Sequence, residues 1–230
     1  MAKAVTQEPR AEHRWPAVAS VLIALALYAL LPSGFLPPFR YAVVGVCVIL
    51  LIPMVLINPL RFTRQTVWSR RVSIALTLVL TIANHIALAQ LVVLLLQAHK
   101  NQAGTLLLAA VQVWVTHIIV YALIYWEMDR GGPVTRTQAK RTELPEADFR
   151  FPQDEDADTV SEVARGSSAK SNWTAGFIDY LFFSASNSMA FSPPDAVPLT
   201  GRAKSLVGLQ AVAAFVILVL VIARAVSLLG

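Results

Sequence analysis

The chain has 230 residues, of which 56% are hydrophobic and only 14% are charged. A soluble domain has about 45–50% apolar and about 25% charged residues, so this apolar excess rules out a soluble enzyme with one peripheral anchor as the leading interpretation. The net charge of +5 is segregated, because residues 127–176 carry −3 and the rest of the chain carries +8. That pattern is typical of membrane-helix flanks and predicts no nucleic-acid surface, since no basic run is interleaved with aromatic residues.

Five charge-free intervals predict membrane helices. A bilayer core about 30 Å thick needs about 20 helical residues, and a helix bonds its own backbone amides in lipid. The predicted helices are Trp15–Leu31, Tyr41–Ile57, Val72–Gln97, Thr105–Trp126 and Ser205–Leu229. Residues 31–38, which contain three prolines, separate the first two helices, and Asn58-Pro59 ends the second. The predicted fold class is an all-α polytopic transmembrane bundle of five or six helices.

The polar stretches divide the chain into four parts. Residues 1–14 form an N-terminal segment, and residues 15–126 form a four-helix transmembrane region. Residues 127–172 are rich in Pro, Asp, Glu, Ser and Arg, which predicts an acidic loop that is a linker or partly disordered. Residues 173–230 form a hairpin of a short helix, a Pro-rich turn and the last transmembrane helix.

The distribution of Lys and Arg predicts the orientation in the membrane. Basic residues accumulate on the cytoplasmic side. A cytoplasmic N-terminus places two groups of basic residues on that side: Lys3, Arg10 and Arg14, and Arg61, Arg64, Arg70 and Arg71. We therefore expect a cytoplasmic N-terminus and a cytoplasmic 127–172 loop.

The segment 173–191 changes character along its length. Its first half is aromatic and apolar, whereas its second half contains Ser184, Ser186, Asn187 and Ser188. One interpretation is a sixth crossing helix whose small residues pack closely against its neighbours. The other is a half-helix that enters the membrane and ends in an irregular turn, which requires cover from protein or a water-filled cavity. The length of 19 residues slightly favours a full crossing.

The same segment resembles a known family. Residues 179–184 (Asp-Tyr-Leu-Phe-Phe-Ser) through 198–202 (Pro-Leu-Thr-Gly-Arg) are similar to the pore loop of two-helix potassium-channel modules, and residues 203–225 resemble their inner helix. The whole chain also resembles an uncharacterised family of bacterial membrane proteins in which a helix ending as residues 125–133 (Tyr-Trp-Glu-Met-Asp-Arg-Gly-Gly-Pro) precedes the pore-like region. The resemblance implies a bacterial cell membrane, monovalent cations and a homo-oligomer, tetrameric if the pore likeness holds.

The selectivity filter of that family is not retained. Its Thr-Val-Gly-Tyr-Gly-Asp motif corresponds to Ser188, Met189, Ala190, Phe191, Ser192 and Pro193. Both glycines are lost, and non-glycine residues resist the left-handed backbone by about 1–2 kcal/mol each. The resemblance therefore implies a wider pathway lined by Ser184, Asn187 and Ser188, or a sealed pore, and not standard potassium selectivity.

Several polar residues interrupt the predicted helices. The third helix contains Asn84 and His85, the fourth contains Gln112, Thr116 and His117, and Asp179 lies in the pore-like segment. Two histidines that titrate near neutral pH suggest a proton or ion path, and the alternative is interhelical hydrogen bonding that holds the bundle. Asp179 is expected to cap the short helix or to pair with Arg202 or Arg224.

Enzyme motifs are missing from the sequence. It has no Gly-rich phosphate loop, His-x-x-x-His pair, paired Cys or Gly-x-Ser-x-Gly. We therefore expect no catalytic residues, no metal and no cofactor, with the lipid bilayer as the main partner. The alternatives to a channel-like protein are a non-conducting scaffold that docks partners through 127–172, and a proton-coupled transporter that uses His85 and His117.

Overall fold

The computed structural model describes residues 11–32, 34–58, 60–63, 66–97, 103–189 and 195–229. Four helical stretches are long and apolar enough to cross a membrane: Pro37–Ile57, Val67–Gln97, Gly104–Gly131 and Gly201–Arg224. A shorter apolar helix covers Trp15–Ala29. The predicted all-α bundle is confirmed, and its apolar helices are those of an integral membrane protein.

The helices are arranged around one central member. In chain order they are α1 Trp15–Ala29, α2 Pro37–Ile57, α3 Val67–Gln97, α4 Ala103–Met128, α5 Pro133–Gln138, α6 Ser161–Ala164, α7 Ser168–Ser171, α8 Phe177–Ser188 and α9 Gly201–Leu229. Two short antiparallel strands, β1 Phe149–Arg150 and β2 Val197–Pro198, form the sheet. Helix α4 packs against α1, α3, α8 and α9, so it forms the core of the bundle.

Several helices begin earlier than their charge-free intervals predict. α2 begins at Pro37, because proline suits the first turn of a helix. α3 begins at Val67, where Thr66 and Ser69 form reciprocal bonds: each side-chain oxygen accepts from the other residue's backbone N–H at 3.0 Å. Arg70 and Arg71 consequently lie inside α3. Charged residues in the first turn of a helix can reach water through their long side chains. A prediction from charge-free intervals therefore places the helix starts too late.

The starts of α1 and α3 and the ends of α2 and α4 meet on one side of the bundle. Arg14 donates its backbone N–H to the Leu60 carbonyl at 3.2 Å and a guanidinium N–H to the Asn58 carbonyl at 2.7 Å. Arg70 donates to the carbonyl of Gly131, just beyond α4. We call this side, marked by Arg14, Asn58, Arg70 and Gly131, the loop face.

The prediction of a linker or partly disordered loop over 127–172 is wrong for much of that segment. Phe149 is fully buried, and its ring centroid lies 5.1 Å from that of Tyr125 on α4 and 5.2 Å from that of Phe183 on α8. Phe151 is also buried and packs edge-on against Tyr180 at 5.2 Å. These aromatic residues fold the segment onto the loop face despite its acidic composition.

Residues 173–191, for which the length slightly favours a full crossing, do not form one long helix in the described part of the chain. Helix α8 has 12 residues, which is about 18 Å of helix, whereas the hydrocarbon core is about 30 Å thick. The chain then returns to the loop face, because Pro198 of β2 pairs with Phe149 of β1 and the Leu199 N–H donates to the Asp148 carbonyl at 2.8 Å. α8 therefore enters the bundle from the loop face as a half-helix, and α9 starts on the same face, an arrangement that we call re-entrant with respect to the bundle.

Candidate site around the re-entrant helix

The polar end of α8 converges on one residue of α9, Gln210. The Gln210 amide nitrogen lies 2.7 Å from Ser184 Oγ and 2.8 Å from Ser188 Oγ, and it donates to the Ser184 carbonyl at 3.0 Å. Its amide oxygen accepts from Asn187 Nδ2 at 2.9 Å and from the Tyr125 hydroxyl at 2.6 Å. Gln210 is fully buried, so a single amide joins α8 to both α4 and α9.

Gln210 was missed by the sequence reasoning. Within residues 205–223 it is the only side chain with an amide, and every other member except Ser205 is apolar or glycine. Polar groups inside membrane helices need partners, so this lone amide was a usable signal. The predicted pore-like residues Ser184, Asn187 and Ser188 are brought together by it.

The intramembrane histidines extend the same polar row. His117 is fully buried, with Nδ1 2.9 Å from Asn84 Oδ1 and Nε2 3.4 Å from the Gln210 carbonyl. His85 has Nδ1 2.8 Å from the Thr81 carbonyl and Nε2 3.2 Å from the Tyr121 hydroxyl. The Tyr121 ring packs beside both, with its centroid 4.7 Å from that of His117 and 5.9 Å from that of His85. Polar groups thus run from α3 through α4 to α9.

Two predicted residues lie outside this row. Gln112 Nε2 approaches the Leu30 carbonyl at 3.5 Å, and Thr116 Oγ1 donates to the Gln112 carbonyl at 2.8 Å.

Met189 follows α8 and is half-exposed. The remaining filter-like residues, Ala190, Phe191 and Ser192, lie outside the described residues.

Asp179 serves as a helix cap. Its carboxylate accepts from the Gly176 N–H at 2.7 Å at the start of α8, which confirms the capping alternative. Its expected pairing with Arg202 is wrong, since Arg202 instead donates to Asp148 at 2.7 Å through Nε.

A second group of buried charges fixes the entry of α8 on the loop face. Asp129, fully buried, accepts from the Asp148 N–H at 2.7 Å, the Phe149 N–H at 3.3 Å and the Tyr180 hydroxyl. Arg136 donates to the carbonyls of Trp126 and Asp129, both at 3.0 Å, and of Ala175 at 2.9 Å. These bonds join the end of α4, the start of α5 and the approach to α8.

The N-terminal segment reaches the same junction through Glu12. Its carboxylate accepts from the Trp126 indole N–H at 3.0 Å and from the Phe177 N–H, and it lies 3.6 Å from Arg136. Burial raises the pKa of the Glu12 carboxyl, although the charge of Arg136 opposes that shift. Protonation of Glu12 would weaken its bond to the Phe177 N–H, the first of α8.

Asp154 shows the opposite electrostatic behaviour. Burial favours its neutral form, but hydrogen bonds from Ser168 and the Phe151 N–H, together with Arg130 at 2.8 Å, lower the pKa of Asp154 overall. A carboxyl group whose pKa is lower in the folded state contributes stability at neutral pH and loses it as the pH falls through the folded value. The fold of the 129–176 segment is therefore supported by ionised Asp154.

The described part of the chain contains no group of three or more His, Cys, Asp or Glu side chains that could hold a metal ion. No protein-family model, curated protein or solved structure matches the chain. Its function is therefore argued from the geometry of the re-entrant helix and the polar row.

Proposed function

We propose that the protein is an ion-channel-like integral membrane protein in which α8 lines a pathway for monovalent cations. The observation that carries the proposal is the return of the chain to the loop face after a 12-residue helix. Ser184 of α8 donates to the Ile118 carbonyl, ten residues before the end of α4, which is a depth of about 15 Å. A helix that ends at such a depth needs covering protein or a water-filled cavity for its last carbonyl groups.

The chemistry at that depth favours cations. The C-terminal end of a helix carries a partial negative charge, and α8 ends at Ser188, well inside the bundle. Ser184, Asn187 and Ser188 place hydroxyl and amide groups in the last turns of α8. Because the residues aligned with the filter lack both glycines, we propose weak discrimination among monovalent cations.

The proposed assembly follows the positive-inside rule and the family resemblance. The loop face carries Arg14, Arg61, Arg70 and Arg71, so we propose that it is cytoplasmic in a bacterial cell membrane. Outward-facing apolar side chains on α8, such as Ile178 and Phe182 at 58% and 61% exposure, suit contact with lipid or with another copy. The pathway would then lie between copies in a homo-oligomer.

Flux into liposomes tests this function. We expect purified protein to pass K⁺ and Na⁺ above the leak of empty vesicles. A Met189→Cys variant should lose flux at least about twofold on treatment with a charged thiol reagent, because Met189 follows α8 where the pathway is proposed. Val163→Cys is the matched control, since Val163 has similar exposure but lies on α6, away from α8. Absence of cation flux above the leak in untreated protein would contradict the proposal.

A second candidate is proton transfer along the polar row. Both ring nitrogens of His117 lie near oxygen atoms, those of the Asn84 side chain and the Gln210 carbonyl, so a proton carried on either nitrogen finds an acceptor. His85 lies close by, with a ring-centroid distance of 5.9 Å.

Proton uptake by vesicles under a pH gradient tests this candidate. We expect His117→Phe to lower the uptake rate at least about tenfold, as removal of a titratable relay group should. His13→Gln is the control, because His13 is exposed on the loop face. Unchanged proton uptake in His117→Phe would contradict proton transfer along the polar row. It would not bear on the proposal of cation conduction.

A further inference from the structure

A cavity on the loop face, separate from the α8 site, is lined by positive charge. It lies where the starts of α1 and α3 meet the ends of α2 and α4. Its polar lining includes Arg14, Ser69, Arg70, Ser73 and Glu127. Apolar side chains close its inner side, where a second cavity shares Arg14 and Ser73 and continues into the bundle. The entrance is thus polar and the interior apolar.

The charges in this cavity leave a positive excess. Two guanidinium groups, those of Arg14 and Arg70, face one carboxylate, and the Glu127 carboxylate already accepts from the Ser73 hydroxyl. Arg14 is only 2% exposed, and its Nε has no hydrogen-bond partner among the described residues. A buried donor without a partner beside a cavity calls for a bound acceptor.

The position of the cavity favours an acceptor that belongs to the membrane surface. Trp68 at the start of α3 is 54% exposed, and Leu56 near the end of α2 is 75% exposed. Tryptophan is enriched at the level of lipid headgroups, and basic pockets between membrane helices on that side bind anionic headgroups. Guanidinium donors match the oxygen geometry of phosphate.

We propose that this cavity binds a phosphate group, supplied by the headgroup of an anionic phospholipid or by free phosphate. The phosphate oxygens accept from Arg14 and Arg70, with the Ser69 hydroxyl at the entrance. The Glu127 carboxylate stays bonded to Ser73, and the bond to the Gly131 carbonyl holds Arg70 in place. The proposal does not depend on conduction by the α8 region.

Thermal unfolding of purified full-length protein in detergent tests the proposal by titration with three ligands. The ligands are phosphatidylglycerol, phosphatidylcholine and inorganic phosphate. We expect phosphatidylglycerol to raise the melting temperature in a saturable manner and phosphatidylcholine to leave it unchanged, since a ligand that binds only the folded state stabilises it. Saturation by inorganic phosphate would support the site with a soluble source, and no response to either phosphate-bearing anion would overturn it.

Two variants locate the site. Arg70→Gln should weaken the apparent affinity about tenfold or more, the effect of losing a charge-assisted hydrogen bond. Arg71→Gln is its matched control, because Arg71 is the exposed neighbour that does not line the cavity. Equal losses in the two variants would show a nonspecific surface effect and overturn the proposal.

A third variant covers the case in which Arg70→Gln unfolds the protein. Ser69→Glu keeps the reciprocal cap with Thr66, because glutamate is favoured at that position of the helix start. It places a negative charge at the entrance of the cavity. We expect a folded protein whose melting temperature no longer responds to phosphatidylglycerol, and a retained response would overturn the site.

Discussion

Replacing Asp129 with alanine is expected to lower the free energy of unfolding by about 3–5 kcal/mol. This is the cost of removing one member of a buried ion pair. Asp129 is fully buried and accepts from the backbone N–H groups of Asp148 and Phe149 and from the Tyr180 hydroxyl. Alanine leaves those three donors without an acceptor and removes the charge beside Arg130. Denaturant titration in detergent micelles, followed by tryptophan fluorescence, measures the loss.

Two further substitutions bracket this result. Tyr180→Phe removes only one of the three donors to Asp129 and should cost about 1–2 kcal/mol. Glu146→Gln changes an exposed carboxylate on the same segment and should change stability by less than about 0.5 kcal/mol. If Asp129→Ala lowered stability no more than Glu146→Gln, the buried junction at the start of α8 would not hold the segment.

The second large effect is expected at Gln210. Gln210→Leu preserves approximate size but leaves Ser184, Ser188, Asn187 and Tyr125 without the contacts described above. Hydrogen bonds between membrane helices contribute about 0.6 kcal/mol on average and at most about 1.7 kcal/mol. We therefore expect a stability loss of about 2–3 kcal/mol, measured by the same denaturant titration.

A functional change should accompany this loss, because Gln210 holds the end of α8. Cation flux of Gln210→Leu in liposomes should differ from that of the parent protein. Leu209→Ala is the matched control, since Leu209 is the adjacent residue and is 52% exposed on the outside of α9. Equal stability in Gln210→Leu and Leu209→Ala would show that the amide does not fasten α8.

The overall fold was accessible from the sequence because lipid simplifies the pattern. Long intervals without charge identify the membrane helices directly, and the ends of α2 and α3 match the predicted Ile57 and Gln97. Helix starts were less accessible, because capping by Thr66 and Ser69 extends α3 beyond the charge-free interval. The return of the chain to the loop face after α8 depends on the pairing of β1 with β2. Phe149 and its partner Pro198 are 49 residues apart in the chain, and pairing at that separation has no local sequence signal.

The candidate site was accessible only in part. Ser184, Asn187 and Ser188 stand out because they follow one another in a short polar run. Their common partner Gln210 and the approach of His117 depend on how α4, α8 and α9 pack, which helical periodicity does not specify. The buried aromatic residues Phe149 and Phe151 were likewise hidden by the acidic composition around them, since composition averages over the few side chains that form a core.

The pairing of β1 with β2 connects the 129–176 segment to the start of the last helix, α9. Asp148 is fully buried, accepts from the Thr200 hydroxyl at 2.5 Å and forms an ion pair with Arg202 on the first turn of α9. A force applied to residues near Phe149 would therefore reach the start of α9 through Asp148, and it would reach α8 through the contact between the Phe149 and Phe183 rings. A displacement of the 129–176 segment would thus be passed to two helices of the bundle at once.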